Sequence, residues 1–311
     1  MNRRIAGTSL DVFPLCLGGN VFGWTADERQ SFDVLDAYAE AGGNFVDTAD
    51  AYSVWVSGHT GGESETILGR WMAARKNRAR MIVATKVGRH PSLSGLRAAT
   101  IRSAAEASLR RLGTDYIDLY FAHADDPQTP LEETLQAFDG LVKEGKVRHA
   151  AASNYTARRL AEALAVARRE GLVRYAAIQP HYNLVHRQEY EGALRELCAR
   201  EQLSAVPYFA LASGFLTGKY RPGAAVESPR APWVSGYLDE RGERVLRALG
   251  QVAAAHGTTR AAVALAWLLA DETIAAPIAS ARTPQQLADL LPAVELRLSP
   301  AEVAHLAASG A

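Results

Sequence analysis

The sequence predicts an α/β protein folded as a (β/α)₈ TIM barrel, and two observations lead to that prediction. Eight short β-type runs recur along the 311 residues, and most are almost continuously apolar, which is typical of parallel strands buried on both faces. A longer amphipathic stretch separates most of these runs, so that strand and helix alternate. This alternation predicts a single barrel domain over residues 1–311.

The predicted strands follow one another along almost the whole chain. They cover residues 44–47, 81–85, 116–121, 147–152, 175–179, 204–208, 273–278 and 294–298. Ahead of them, residues 3–5 and 11–13 flank Gly7 and Thr8 and predict a short β-hairpin within residues 1–15. We expect this hairpin to close the bottom of the barrel.

Five helices have clear start and stop signals. Asp27 is a candidate N-cap for a helix over residues 28–41, which Gly42 and Gly43 end. The other four are predicted at 101–112 after Thr100, at 131–143 with Pro130 at the first helical position, at 157–170 after Thr156, and after Ser299-Pro300 with an end near Gly310.

Two further segments bear on the architecture. An open doubly wound sheet, the rival fold, would have Gly-x-Gly-x-x-Gly after its first strand, but residues 44–47 run directly into Thr48-Ala49-Asp50-Ala51-Tyr52. The stretch 219–242 is rich in Pro, Gly and Ser and is longer than most loops. Such a loop is typical of an active-site lid.

Composition excludes several classes of partner. Lys+Arg and Asp+Glu balance at 34 each, so no overall charge attracts the chain to nucleic acid or to anionic lipid. The chain has no 18-residue uncharged apolar run and no secretory pattern at its beginning. Its two cysteines lie far apart, which favours reduced thiols. We therefore expect a cytoplasmic protein, monomeric by default, that binds neither membranes nor nucleic acid.

Polar side chains stand at the end of six predicted strands in succession, where barrels place their chemistry. They are Asp47, Lys86, His123, Ser153 with Asn154, Gln179, and Tyr208. Each alone has a structural explanation, such as a helix cap or a core histidine. Lys86 is harder to explain structurally, because it is one of only five lysines and a lysine inside a barrel needs a carboxylate partner. Asp47 on the adjacent strand is that partner.

Longer motifs around these positions resemble one known family. Phe45-Val46-Asp47-Thr48-Ala49-Asp50-Ala51-Tyr52, Ala84-Thr85-Lys86-Val87-Gly88 and Asp118-Leu119-Tyr120-Phe121-Ala122-His123 are similar to the aldo-keto reductase signatures, in the order found in that family. Further matches lie at 62–65, 68–69, 152–155, 179, 182–184, 214–220, 281–283 and 286–287. The resemblance spans nearly the whole chain. It implies a barrel that binds a nicotinamide cofactor without a Rossmann domain and reduces a small-molecule carbonyl substrate.

The resemblance implies a role for each residue of the catalytic cluster. Carbonyl reduction needs hydride at carbon and a proton at the developing alkoxide, and Tyr52 is the implied general acid. A phenol is a poor donor at neutral pH, so the Lys86 cation assists it and Asp47 holds Lys86. His123 is implied to orient and polarise the carbonyl oxygen.

The cofactor contacts also carry over by position. They are Gly19, Asn20, Asp47, Ser153, Asn154, Gln179, Tyr208, Phe209, Leu211, Gly214, Lys219, Ser280, Arg282 and Gln286. Arg282 matches the adenosine end, where a guanidinium favours a 2′-phosphate, so we expect NADPH/NADP⁺ to be preferred and NADH to bind more weakly. Three positions depart from the family pattern, namely Ser280, Leu290 and the pair Phe209-Ala210.

The aromatics Phe22, Trp24, Trp55 and Trp233 are implied to form an apolar substrate pocket, and no metal site is predicted. We expect Trp71 and Trp267, on helical patterns, to pack in the core. Two other functions compete with carbonyl reduction. One is a Schiff-base lyase with Lys86 as its nucleophile, which Asp47 opposes by keeping the amine protonated. The other is a cofactor-binding module with slow turnover.

Overall fold

A computed structural model describes residues 2–220 and 229–310, and a parallel eight-stranded sheet lies at its centre. The strands are Cys16–Gly18, Phe45–Asp47, Ile82–Val87, Ile117–Ala122, Val147–Ser153, Ala177–Gln179, Ser204–Ala205 and Ile278–Ala279. Each of the first six pairs in parallel with the next, and the eighth pairs with the first. Between the seventh and eighth strands, the flanking segments close the sheet through a parallel bridge between Ala205 and Ile274 and a hydrogen bond from the Ile278 N–H to the Pro207 carbonyl, so the barrel prediction is confirmed.

One observed strand was not predicted, and one predicted strand is not observed. Cys16–Gly18 forms the first strand of the barrel but is only three residues long, which is too short for its pattern to stand out. Residues 294–298, predicted as the last strand, are not a strand. Pro292 opens a 3₁₀ helix at Leu291–Val294, and Leu296 and Leu298 then pack against the core. The strand count was right: the predicted strand 204–208 contains the seventh observed strand, and 273–278 overlaps the eighth at Ile278.

The predicted N-terminal hairpin is present at one end of the barrel. Arg3–Arg4 pairs antiparallel with Asp11–Val12. Ile5, Leu10 and Val12 are buried in one cluster with apolar side chains that point into the barrel, such as Phe45 and Leu119. Burying these side chains removes apolar surface from water and closes this end of the barrel interior.

Helices surround the sheet. They cover Glu28–Glu40, Glu63–Arg75, Ala98–Leu112, Leu131–Lys143, Ala157–Glu170, Ala193–Glu201, Ala231–Val234, Glu240–Ala255, Arg260–Leu269, Pro284–Ala288 and Pro300–Ser309. Asp27 and Ser299 form capping boxes, and Thr156 accepts a hydrogen bond from the backbone N–H of Arg159, as expected of N-caps. Thr100 is not a cap, because its helix begins at Ala98 and contains it. Pro130 is the N-cap of its helix rather than its first residue.

Trp71 and Trp267 lie in the large core cluster between the sheet and the helices, as predicted. Cys16 and Cys198 are buried free thiols. No single described helix is long and apolar enough to cross a membrane. Glu240–Ala255 and Arg260–Leu269 pass that test only as a pair, and they meet at 95°.

The loop predicted at 219–242 is only partly described, because residues 221–228 lie outside the described residues. After them the chain is not a continuous loop. Ala231–Val234 is a helical turn, Ser235–Tyr237 is a 3₁₀ helix, and a long helix begins at Glu240. Pro232 lies at the start of the first turn, where its missing N–H costs nothing.

Candidate active site

A cavity of about 910 Å³ opens at the carboxyl ends of the strands. Its wall includes residues from successive strand ends, among them Gly18, Asp47, His123, Ser153 and Gln179. This is the end of a parallel barrel where different strands bring their terminal side chains together. The polar residues that the sequence places at strand ends therefore face one cavity.

The innermost polar group is a buried cluster around Lys86. Its ammonium donates hydrogen bonds to Asp47 Oδ2 at 2.7 Å, to the Thr48 carbonyl at 2.7 Å and to the Tyr52 hydroxyl at 2.9 Å. The Tyr52 hydroxyl lies 3.2 Å from the same Asp47 oxygen and donates to it. The Lys86 side chain is fully buried and that of Asp47 is 2% exposed. Because both charges are buried, their mutual attraction offsets part of the cost of removing each from water.

The loop after the second strand is fixed by contacts that do not reach the cavity. Thr48 Oγ1 donates to Ser64 Oγ, which donates to the Gly19 carbonyl. Ser53 has a left-handed φ of 72° and donates from Oγ to the Phe22 carbonyl. These bonds tie both ends of residues 48–53 to the neighbouring segment, so the position of Tyr52 is set before any ligand binds.

Burial shifts the pKa values of Tyr52 and His123 in opposite directions. For Tyr52, burial and then the Asp47 carboxylate raise the pKa well above its ordinary value, so the phenol keeps its proton. For His123, burial and then the positive charges of Lys86 and Arg89 hold the pKa well below its ordinary value. The imidazole is therefore neutral at neutral pH. Its Nδ1 atom is buried and has no hydrogen-bond partner among the described residues.

A chain of amides and hydroxyls extends from Asp47 along the cavity wall. Gln179 Nε2 donates to Asp47 Oδ1 at 2.8 Å, and Ser153 Oγ donates to the Gln179 carbonyl. Asn154 donates to the His123 carbonyl and accepts from the Tyr208 hydroxyl at 2.8 Å. Asn154 has a φ of 56°, a left-handed conformation that Asn tolerates better than most residues. One face of the Tyr208 ring stacks on His181.

The far end of the cavity contains cations and helix caps. Ser280 Oγ donates to Asn20 Oδ1 at 2.7 Å, and Gln286 accepts from the Arg282 backbone N–H. Lys219 is exposed, and Arg282 is partly exposed. Neither side chain forms an ion pair with a described carboxylate. Among the described residues, Lys219 and Arg282 are therefore two cations at this end without a carboxylate partner.

Most of the predicted site residues line the cavity, and three do not. The lining set includes Asn20, Asp47, Tyr52, His123, Ser153, Asn154, Gln179, Tyr208, Phe209, Leu211, Gly214, Lys219, Ser280, Arg282 and Gln286, together with Trp24, Trp55 and Trp233. Lys86 lies behind Tyr52, and Gly19 is buried beside Ser64. Phe22 is fully buried in the core and does not form part of the predicted substrate pocket.

Sequence reasoning missed several cavity residues. They are Val54, Arg89, Ser213, Thr217, Arg230 and Thr259. Arg89 lies two residues beyond the strand that carries Lys86, so its position after a strand end was the available signal. Arg230 lies in the predicted lid 219–242, but nothing in that stretch singles it out, and Thr259 is far in sequence from the predicted strand ends.

The chain was compared with known families and proteins. The sequence pattern of the Aldo/keto reductase family matches residues 14–310. The chain is 35% identical to the uncharacterized oxidoreductase YrpG of Bacillus subtilis, with 94% of this chain and 90% of that protein covered. It is 31% identical to protein tas of Escherichia coli, with 98% and 96% covered. It is also 30% identical to norsolorinic acid reductase A of Aspergillus parasiticus, with 95% and 77% covered. The chain therefore belongs to the aldo/keto reductase family and is an oxidoreductase.

Proposed function

We propose that this protein reduces aldehyde or ketone groups to alcohols with NADPH as its preferred cofactor, and that Tyr52 is the general acid. The observation that carries the proposal is the buried triangle of Tyr52, Lys86 and Asp47 at the cavity wall. A phenol that donates to a new alkoxide becomes a phenolate, and a buried ammonium 2.9 Å away stabilises that negative charge.

The residues present fit a nicotinamide cofactor. The amides of Asn154 and Gln179 suit a carboxamide, and the Tyr208 ring offers an aromatic face. Gly18 and Ser280 lie side by side in the cavity wall. A Cβ at position 18 would lie only 2.6 Å from the Ser280 Oγ, so this close approach requires glycine. The chemistry supplied by the bound reduced nicotinamide is hydride transfer to the carbonyl carbon.

The protein's own groups handle the proton. Tyr52 holds it on the hydroxyl oxygen because burial disfavours the phenolate until an acceptor arrives. Asp47 accepts hydrogen bonds from both Lys86 and Tyr52 and keeps the ammonium charged. His123 is neutral, and a neutral imidazole has one N–H. The centroids of the Tyr52 and His123 rings lie 6.3 Å apart. The His123 N–H can therefore donate to the same carbonyl oxygen that Tyr52 protonates.

The preference for NADPH rests on the cations at the far end of the cavity. Arg282 lies just before a helix whose N-cap is Thr283, and Lys219 and Arg230 line the same cavity. Burial lowers the pKa of Arg230, and the nearby Arg282 charge lowers it further. Positive charges that repel one another are stabilised by a dianion between them. A 2′-phosphate supplies that charge and a ribose hydroxyl does not.

The direct test is a panel of aldehydes and ketones assayed by loss of reduced-cofactor absorbance with NADPH and with NADH. We expect turnover with several aldehydes and a lower KM for NADPH. Cofactor binding without turnover of any carbonyl would instead favour the binding-module function. Equal dissociation constants for the two cofactors at low salt would overturn the NADPH preference alone.

The geometry argues against the Schiff-base lyase. All three protons of the Lys86 ammonium are used in hydrogen bonds to Asp47, Thr48 and Tyr52, so the nitrogen has no lone pair for attack. Borohydride treatment with a carbonyl compound should therefore leave Lys86 unmodified. A covalent adduct on Lys86, detected by mass spectrometry, would favour the lyase.

A further inference from the structure

We infer that Arg89 forms an anion-binding subsite of the cavity, and that the preferred substrates are aromatic or other apolar aldehydes that carry a carboxylate or similar anionic group. The inference rests on the proposed function, because it names the substrate class of the same cavity. The observations that support it concern Arg89, to which the proposed mechanism assigns no role. Arg89 lines the cavity wall and is exposed to solvent.

The backbone of Arg89 is held in a fixed turn. Arg89–His90 pairs antiparallel with Leu93–Ser94 in a two-stranded hairpin directly after the strand that carries Lys86. Gly88 has a φ of 112°, and its carbonyl accepts a hydrogen bond from the Gly95 N–H at 3.0 Å. The backbone that carries the Arg89 guanidinium is therefore part of a hydrogen-bonded hairpin.

The charge of Arg89 reaches the catalytic end of the cavity. Burial lowers the pKa of His123 most, the Lys86 charge lowers it further, and the Arg89 charge adds a smaller lowering. Burial raises the pKa of Tyr208, Glu189 adds to the rise, and Arg89 opposes it. The guanidinium thus lies near both the candidate carbonyl-binding imidazole and the aromatic ring of the nicotinamide end.

Arg89 has no acidic partner among residues 2–220 and 229–310. The carboxylates that line the cavity are Asp47 and Asp289. Asp47 already binds Lys86, and Asp289 ends the short helix at the far end. When a cation at a ligand cavity has no carboxylate of the protein as its partner, an anion on the ligand neutralises it most directly.

The body of the substrate is indicated by an aromatic wall beside Tyr52. The Trp55 ring lies 6.1 Å from the Tyr52 ring, Trp24 lies 5.6 Å from Trp55, and Trp233 lies 6.0 Å from Trp24. Trp55 and Trp233 are about half exposed, so their ring surfaces remain available for contact. A flat apolar ring can pack there while its carbonyl reaches Tyr52 and its anion reaches Arg89.

The test compares 4-formylbenzoate with its methyl ester, which differ in charge but share the ring and the aldehyde. We expect wild-type kcat/KM for the carboxylate to exceed that for the ester by about tenfold, the scale of one charge-assisted hydrogen bond at a solvent-accessible site. Arg89→Gln should remove that preference, and Arg89→Lys should retain part of it. The control Arg97→Gln changes an exposed arginine outside the cavity and should leave the preference unchanged. An unchanged ratio in Arg89→Gln would overturn the inference.

A binding measurement separates this inference from the proposed function. The cofactor-loaded protein is titrated with 4-methylbenzoate and with 4-methylbenzamide, and binding is followed by the fluorescence of the cavity tryptophans. The carboxylate should bind the wild type about tenfold more tightly than it binds Arg89→Gln, while the amide should bind both alike. If neither aldehyde is reduced, the proposed function is wrong, and this titration still decides the subsite. Equal carboxylate affinity in both proteins would refute it.

Discussion

The two ends of the cavity are built in opposite ways. At the end formed by Asp47, Tyr52 and Lys86, the polar groups are buried and bonded to one another. At the end formed by Lys219 and Arg282, the charged groups are partly or fully exposed and have no described carboxylate partner. The first end is complete without a ligand, whereas the second requires an anion to complete its interactions.

This difference follows from the work of each end. A group that transfers a proton must be positioned within a few tenths of an ångström before reaction, and burial with several hydrogen bonds achieves this. A group that captures a charged ligand must exchange with solvent on each cycle, so exposure keeps the desolvation cost low. Substitutions should accordingly have large effects at the buried end and moderate effects at the exposed end.

The largest effect is expected from Tyr52→Phe. The substitution removes the proton donor and keeps the ring, so kcat for carbonyl reduction should fall by roughly 10²–10⁴-fold with cofactor affinity nearly unchanged. Tyr155→Phe is a matched control, because Tyr155 is a buried tyrosine that bonds to Tyr175 outside the cavity. Turnover close to that of the wild type in Tyr52→Phe would remove Tyr52 from the mechanism.

Lys86→Met measures how much the buried end depends on its ion pair. Asp47 would keep its contacts with Tyr52 and Gln179 but lose its counter-charge, and the free energy of unfolding should fall by about 3–5 kcal/mol. The pair Lys143–Asp139 is the control: the Asp139 side chain is 12% exposed but the Lys143 side chain is 73% exposed, so its ammonium stays in water and Lys143→Met should cost under about 1 kcal/mol.

If Lys86→Met fails to fold, Asp47→Asn added to it should recover part of the loss by removing the unpaired charge. Urea denaturation of the three variants decides the question. Equal losses for Lys86→Met and Lys143→Met would mean that the buried pair adds no more stability than an exposed one.

Asp50→Asn tests a buried carboxylate that has no described hydrogen-bond partner, in the loop that also carries Tyr52. Both Asp50 carboxylate oxygens are buried and have no described hydrogen-bond partner, and burial followed by Glu65 raises its pKa to about 8 from 3.8. Between these two pH values the folded state holds a proton that the unfolded state has released. Stability therefore falls as pH rises through this window. Because Asn has no such proton, the stability of Asp50→Asn relative to the wild type should rise from pH 5 to pH 8 by about 3–4 kcal/mol, since each pH unit in this window is worth about 1.4 kcal/mol.

Urea denaturation of the cofactor-free protein at both pH values gives this difference. Asp115→Asn is the control, because Asp115 is exposed and its substitution should give a difference that does not change with pH. A constant difference for Asp50→Asn as well would show that Asp50 is ionised at both pH values in the folded protein.

The barrel could be predicted from the sequence because buried parallel strands leave long apolar runs. Its first strand could not, and residues 294–298 were wrongly predicted as its last one. Cys16–Gly18 has only three residues, and its pairing with Ile278–Ala279 depends on closure of the sheet, which has no local signal. Residues 294–298 have an alternating pattern typical of a strand, but Pro292 and tertiary packing of Leu296 determine their conformation.

The site was more predictable where it is built from strand ends. Asp47 and Lys86 lie at the carboxyl ends of their strands and His123 directly follows one, so their convergence follows from barrel geometry. Phe22 was placed wrongly because an aromatic residue near a cavity can point to the core as readily as to the cavity. Arg230 lies within the partly described segment 219–242, where loop conformation rather than periodicity decides which side chains face the cavity.

At the exposed end, Arg282→Ala should erode the preference for NADPH over NADH by about tenfold. The magnitude is that of a hydrogen bond between charged groups, reduced by solvent screening because Arg282 is partly exposed. Raised salt should weaken NADPH binding more than NADH binding in the wild type and less so in the variant. Arg110→Ala, an exposed arginine outside the cavity, is the control. A preference that survives Arg282→Ala would assign phosphate recognition to other cations.

The smallest effect is expected from Tyr208→Ala, which lies between the two ends. The Tyr208 ring is held by a hydrogen bond from its hydroxyl to Asn154 and by stacking on His181, so one face is already covered. If the other face stacks on the nicotinamide, its loss should weaken cofactor binding by about 0.5–1.5 kcal/mol, the value of one aromatic pair. Tyr208→Phe keeps the ring and loses only the hydroxyl, so it should retain most of the affinity. Titration of both variants followed by protein fluorescence separates the ring from the hydroxyl. Equal losses in the two variants would mean that the bond to Asn154, rather than stacking, is what Tyr208 contributes.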